Sequence, residues 1–362
     1  MADKQAVRAE AQRLMAGFAR QGAVEIDPPI LQPADTLLDL YGEDIRARAY
    51  TTHDPVLGEA MLRPDFTVPV VQMHMENGVE PARYTYAGEV FRAQEEAAHR
   101  APEYIQVGYE LFGGSDPAAA DAEVFALIDG SLKDQGFRAA TGDIGLIIAA
   151  VNGLTTTPHR KAALMRHIWR PRRFRSLLDR FAGRAPLPEG RKALIAADDP
   201  LDTDAAQIGL RGREEIATRI RDLREDAAAP PIPEHEVRLI ADLLSLRETI
   251  DNIAEHLHDL AVDMPALAPA VARFDARAAA LRAHGIDTGR LDFEGSYGRT
   301  TLEYYDGFVF GFYAEGRPDL PPVATGGRYD ALTRRLGAGR EIPAVGAVIR
   351  PELALAIREG QR

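Results

Sequence analysis

The chain has 362 residues, 46% of them hydrophobic and 27% charged, with a net charge of −12 and no cysteine. Without thiols, disulfides, thiolate zinc sites and a cysteine nucleophile are excluded. The acidic balance speaks against a general nucleic-acid binder, which carries a basic footprint, although it leaves room for a local basic patch.

The first fifteen residues, "MADKQAVRAEAQRLM", are charged and helical and lack the apolar core of a signal peptide. Apolar positions at helical spacing continue over 6–21, and "RQGAVEIDPPIL" then reads as a helix stop followed by a short strand into a proline corner. Residues 60–75 predict a turn and a helix. The segment 83–113 predicts two strands, "RYTYAGEVFR" and "YIQVGYELFG", joined by the loop "AQEEAAHRAPE". A helix over 118–136 and a strand over 141–146 follow. The longest aliphatic run, Leu146 to Val151, is far short of the roughly 20 residues that cross a bilayer. A cytoplasmic protein without membrane contact is therefore expected.

Residues 155–285 show few strand signals and several amphipathic helices, broken by "GRAPLPEGR" and "EDAAAPPIPEHE". Strand signals return in "RLDFEGSY", in "TTLEYYDGFVFGFYAEGRPDL", which reads as a strand pair, and in "IPAVGAVIR" before a last helix. Between them "TGGRYDAL" reads as a glycine-marked turn into a helix. The pattern predicts an α+β fold in three parts: 1–154 as the first portion of the core, 155–285 as a helical insertion, and 286–362 as the second portion.

Period two in "YIQVGYELFG" places Tyr104, Gln106, Gly108 and Glu110 on one face and Ile105, Val107, Tyr109 and Leu111 on the other. The first face offers an amide, a gap and a carboxylate, which suit an ammonium group or an imidazole N–H. A solvated sheet face is the plainer alternative, common in antiparallel strands. In "TTLEYYDGFVF" the same period turns Tyr304 and Tyr305 to opposite faces unless a bulge intervenes, one lining a pocket and the other packing. "LRPDFT" and "TGGRYDAL" resemble helix starts whose free N–H groups suit a carboxylate, or simply cap. His256 and His258 are two apart, the wrong spacing for a helical metal pair. The segment 159–184 carries nine Lys/Arg against one Asp. It is either a solvated basic face or a dock for an acidic partner or a phosphorylated ligand. No Walker loop or dinucleotide fingerprint occurs.

Taken in order, five of these segments resemble the catalytic core of the histidyl-tRNA synthetase family. "VEIDPPILQPADTLLDLYG" is similar to its dimer-forming motif 1, and "LRPDFT" to the synthetase LRPEGT. "PARYTYAGEVFRAQEE…YIQVGYELFG" is similar to motif 2, "LEYYDGFVF" to the histidine-specific LDYYTGTVF, and "GGRYDAL…AVGAVIRPEL" to the approach to motif 3. The resemblance covers about 10–150 and 285–360 and implies a class II aminoacyl-tRNA synthetase-like antiparallel sheet flanked by helices. Carried over residue by residue, it implies a histidine pocket formed by Asp65, Thr67, Arg92, Gln106, Glu110, Tyr304 and Tyr305, with Asp65 in place of the synthetase's glutamate.

The departures concern ATP. Activation needs cations around the α-phosphate. In the motif 2 loop, however, Glu95 and Glu96 lie where a basic residue and a nucleotide contact are expected, and Pro102 replaces an arginine. Carboxylates there repel a triphosphate. The synthetase Arg-Gly pair is Thr300-Thr301, with Arg299 one residue early, and the motif 3 arginine falls at Leu353, with Arg350 three residues early. The chain stops soon after motif 3, so no anticodon-binding domain and no tRNA partner are expected. A kept amino-acid side and an eroded nucleotide side resemble the family of ATP phosphoribosyltransferase regulatory subunits. That resemblance implies no catalytic residues, cofactor or metal, self-association through motif 1, and a hetero-oligomer, expected to be octameric, with a short catalytic subunit. It also implies L-histidine as the effector of the first step of histidine biosynthesis, bound either in the remnant pocket or at the subunit interface. The alternative is a truncated synthetase-like enzyme that activates an amino acid. A scaffold without any ligand is a third reading.

Overall fold

A computed structural model describes residues 3–41, 43–93, 101–133, 136–202, 209, 211–299 and 304–360. The strands run in chain order as β1 (Val24–Glu25), β2 (Leu31–Pro33), β3 (Thr51–Asp54), β4 (Gly58–Leu62), β5 (Ala82–Phe91) and β6 (Glu103–Phe112). They continue as β7 (Phe137–Asp143), β8 (Arg247–Thr249), β9 (Asp292–Glu294), β10 (Phe308–Ala314), β11 (Ala324–Arg328) and β12 (Ala344–Ile349). Nine of them form one sheet in the order β1-β5-β6-β12-β11-β10-β7-β9-β8, and β2-β4-β3 form a small second sheet. Within the large sheet the β1–β5 and β7–β9 pairs are parallel and the rest antiparallel. The predicted α+β fold with a flanked, largely antiparallel sheet is the fold found.

The longest pairing in the sheet is β5–β6, ten residues on each side, in register from Ala82 opposite Phe112 to Phe91 opposite Glu103. One face of β6 buries Val107, Tyr109 and Leu111 against the helix Lys4–Ala19. Its Val7, Ala11, Leu14 and Phe18 recur at helical spacing, and the Phe18 and Tyr109 rings meet at 5.6 Å. The other face is buried as well, Gln106 and Glu110 being 1% exposed. The solvated-face alternative therefore does not hold, because the side chains of Thr67, Tyr86 and Tyr329 close over it onto Glu110.

Farther along the sheet, Phe308, Phe310 and Phe312 project from one face of β10 around Phe125 of the helix Pro117–Leu132. That helix starts on Asp116, whose carboxylate accepts from the Ala119 N–H at 3.0 Å. Beside it runs the helix Ala268–Ala283. Its buried Arg277 reaches Asp143 at 2.6 Å and Asp121 at 3.5 Å, while Arg328 holds Asp121 at 2.8 Å and Asp330 at 2.9 Å.

Several local expectations are corrected. The strand expected over 141–146 is β7 and ends at Asp143, whose carboxylate accepts from the Gly145 N–H at 2.8 Å and caps the helix Ile144–Gly153. The aliphatic run thus lies in that buried helix. Between 155 and 285, β8 adds an outer strand beside β9. "TGGR" is strand β11, and the helix Asp330–Leu336 begins only after Tyr329. The strand read through the tyrosine pair begins at Phe308. Before it, the Asp306 carboxylate accepts from the N–H groups of Asp330 and Ala331 at 3.1 and 2.6 Å, which anchors a turn in place of a ladder. Among the described residues, no helix is long and apolar enough to cross a membrane.

Candidate functional site

A cavity of about 290 Å³ opens over the middle of the large sheet. Its floor comes from β6, β12, β11 and β10, and its walls from the start of the helix Thr67–Asn77 and from the turn before β10. Six of the seven residues named for the pocket line it together: Asp65, Thr67, Arg92, Gln106, Tyr304 and Tyr305. Both tyrosines face it, their ring centroids 4.8 Å apart, because the turn frees them from strand alternation.

Glu110, the seventh, lies behind the wall. Its carboxylate accepts from Tyr329 at 2.5 Å, Tyr86 at 2.8 Å and Thr67 at 3.3 Å, and the Thr67 hydroxyl accepts from Tyr304 at 3.3 Å. Glu110 is therefore a buried anchor for the hydroxyls that shape the cavity. Burial pushes its pKa up to about 7, against the opposing pull of the Tyr329, Tyr86 and Thr67 hydrogen bonds. Burial, then the charge of Glu110, also raises Tyr86 and Tyr329 well above the ordinary phenol value.

Two glycines make this clasp possible. A Cβ on Gly346 would fall 1.4 Å from the Glu110 carboxylate, and one on Gly108 would fall 2.1 Å from the Tyr86 ring. The gap expected at Gly108 is thus filled by Tyr86, the residue opposite it on β5, and is closed to a ligand.

The remaining polar groups do face the cavity. Gln106 is buried, and its Oε1 has no hydrogen-bond partner. A buried acceptor left unpaired costs about 1–3 kcal/mol, so it calls for a donor such as an ammonium or an imidazole N–H. Arg92 donates through Nε to the Pro64 carbonyl at 2.8 Å. Arg350, which the sequence places out of register with the synthetase arginine, lines the same cavity and donates through Nη1 to Pro322 O at 2.7 Å. The two guanidinium carbons sit 6.0 and 5.5 Å from the Tyr104 ring. The cavity lining therefore combines two cations, Arg92 and Arg350, with an orphan acceptor on Gln106 and a carboxylate, Asp65. That distribution matches a zwitterion.

Sequence reasoning missed Arg350 as a lining residue and the Tyr86 and Tyr329 clasp. Arg350 directly follows β12, a floor strand, which is the signal that points to it. Arg299 is absent from this cavity: its Nε donates to Ile168 O at 2.8 Å and its guanidinium lies 4.8 Å from the Phe174 ring. Glu95, Glu96, Thr300, Thr301 and Glu303 lie outside the described residues. Among those described, no three His, Asp or Glu residues converge as a metal set would.

Known proteins share this architecture. The family model described as histidyl-tRNA synthetase matches residues 2–249 and 214–353. An ATP phosphoribosyltransferase regulatory subunit of Brucella anthropi is 33% identical over 341 residues, 89% of each chain. The protein of the same name from Agrobacterium fabrum is 33% identical over 357 residues, 92% of each chain. Among solved structures, one described as an ATP phosphoribosyltransferase regulatory subunit/histidyl-tRNA synthetase from Bacillus halodurans superposes with a TM-score of 0.67 at 20% identity, covering 99% of this chain and 81% of that one. The histidyl-tRNA synthetase of Nostoc gives 0.65 at 16% identity, covering 99% and 72%.

Proposed function

From a chain that belongs to the ATP phosphoribosyltransferase regulatory subunits, within the wider histidyl-tRNA synthetase family, we infer a sensor that binds L-histidine in the sheet cavity. As a member of that family the chain is a non-catalytic regulatory subunit of ATP phosphoribosyltransferase, the enzyme of the first step of histidine biosynthesis. Its partner is the catalytic subunit, and the finer reading is that it activates a short form of that subunit and passes on histidine inhibition.

The observation that carries the pocket is Gln106, a buried residue of the lining of a space of amino-acid size, whose Oε1 has no hydrogen-bond partner. At about 290 Å³ the cavity lies at the lower end of the roughly 300–1,000 Å³ of small-molecule sites. Gln106 and Asp65 take the ammonium and an imidazole N–H, and Arg92 with Arg350 takes the carboxylate. Tyr304 and Tyr305 hold the ring, while Glu110 sets Tyr304 through Thr67. Feedback follows if histidine binds the inhibited assembly more tightly than the active one, by a coupling of about 1–3 kcal/mol.

Self-association belongs to the same reading. Among the described residues, six of the eight exposed large apolar side chains, Val24, Ile30, Leu31, Tyr50, Val56 and Leu57, fall between 24 and 57, three of them in the motif 1 segment 24–42, and Val56 is 91% exposed; the other two, Val79 and Val262, lie elsewhere. A patch of this kind marks a surface that docks another chain. tRNA has no part in this function, and the helical block 155–285 is an insertion between the two portions of the core.

Calorimetry with L-histidine tests the pocket, on the isolated chain and on its complex with the catalytic subunit, for wild type and Gln106→Leu. Loss of a hydrogen bond to a charged group, about 1.5–3 kcal/mol, weakens binding roughly 10- to 100-fold. Unchanged affinity in the variant would move the effector site to the subunit interface. Histidine-dependent exchange of pyrophosphate into ATP by the purified chain would instead overturn the regulatory reading.

A further inference from the structure

A second cavity, of about 610 Å³, lies on the far side of Tyr297, which lines both spaces. It sits between the helix Pro171–Phe181, the outer strands β7 and β9, and the turn after β9. Arg299 forms part of its wall. The residue is 4% exposed, and its Nη2 is buried without a hydrogen-bond partner. Arg175, one turn into the helix, lines the same space and makes no hydrogen bond or ion pair with a described residue. Its charge, after burial, contributes to holding Arg299 down to a pKa of about 10. Two guanidiniums thus repel each other, and neither forms an ion pair with a described carboxylate.

The cavity's own carboxylate, Glu294, is engaged by Arg247 at 3.1 Å, and the third wall arginine, Arg138, is paired with Asp292. Pro171 adds the amino-terminal end of an eleven-residue helix, where the backbone dipole favours an anion. A planar arginine fork bonds two oxygens of a tetrahedral phosphate at once, and a dianion relieves the Arg175–Arg299 repulsion. The space exceeds a bare phosphate and includes the hydroxyl of Tyr313 and the apolar side chain of Leu244, which suit an organic body.

We propose that this cavity is a binding site for a small phosphorylated metabolite, its phosphate held between Arg299 and Arg175. The proposal gives a use to the basic segment 159–184, and it concerns a ligand and residues other than those of the histidine pocket. The test uses the full chain at constant ionic strength, titrated with inorganic phosphate, AMP and adenosine in a calorimeter. The expected order is AMP tightest, phosphate weaker and adenosine weakest. Arg175→Glu, an exposed change without lost contacts, is expected to weaken AMP binding about tenfold or more. Arg299→Lys, checked for folding by circular dichroism, keeps the charge but loses the fork and is expected to weaken it as well. No binding of phosphate or AMP, equal binding by Arg175→Glu, or binding of a polyglutamate peptide alone would each overturn the proposal.

Discussion

Replacing Glu110 by glutamine removes a buried carboxylate while keeping its shape. In the folded state its pKa is pushed up to about 7 from 4.5, first by burial. The sign is therefore that of a raised acid: the stabilisation is fully present below the unfolded pKa and is lost as pH rises through 7. At pH 6 the unfolded chain has already released this proton, whereas the folded chain still holds it. One unit of pH below the folded value corresponds to about 1.4 kcal/mol, so wild type loses about that much through Glu110 between pH 6 and 8.5. Asp306 behaves in the same direction: burial, then Asp330, pushes it up to about 7. It adds about 1.4 kcal/mol over the same window. Urea unfolding at the two pH values should show a loss of about 3 kcal/mol in wild type and about half of that in Glu110→Gln. An undiminished loss in the variant would refute the picture of Glu110 as a carboxyl group kept proton-bearing by burial, against the pull of its tyrosine clasp.

Arg277→Ala strands Asp121 and Asp143 without one of their cations and should cost about 3–5 kcal/mol in urea unfolding. Gly346→Ala drives a methyl into the Glu110 carboxylate from a strand fixed on both edges, and a loss of about 1–3 kcal/mol or more is expected from its thermal midpoint. Leu31→Asp combined with Val56→Asp should lower the sedimenting mass of the isolated chain to that of a monomer and leave histidine affinity unchanged. A dimer that persists would remove the motif 1 patch as its interface.

The sheet was largely legible because β5 and β6 are ten-residue runs rich in aromatic and β-branched residues, each opening just after a proline. The pocket was legible residue by residue because its parts lie in short ordered motifs, and six of the seven meet around one space. The rest depended on partners distant in the chain. Nothing local tells that Tyr329, at the start of a helix, reaches Glu110, or that Tyr86 fills the gap over Gly108. The tyrosine pair misled because period two assumes a ladder, while Asp306 is tied to the Asp330 and Ala331 amides and bends the chain first. Arg350 misled in the opposite way: its register failed to match the family motif, but the space beyond β12 brings it to the same cavity as Arg92.

Arg277 and Arg328, gripping Asp121 from two directions, act as a bolt through three layers: the helix Ala268–Ala283, the helix Pro117–Leu132 and the sheet. Sliding one layer past another would strip these charges of their partners at about 3–5 kcal/mol, more than the 1–3 kcal/mol one effector molecule typically supplies. Any message that leaves the tyrosine-lined chamber must then travel by tilting the bolted block as a single piece.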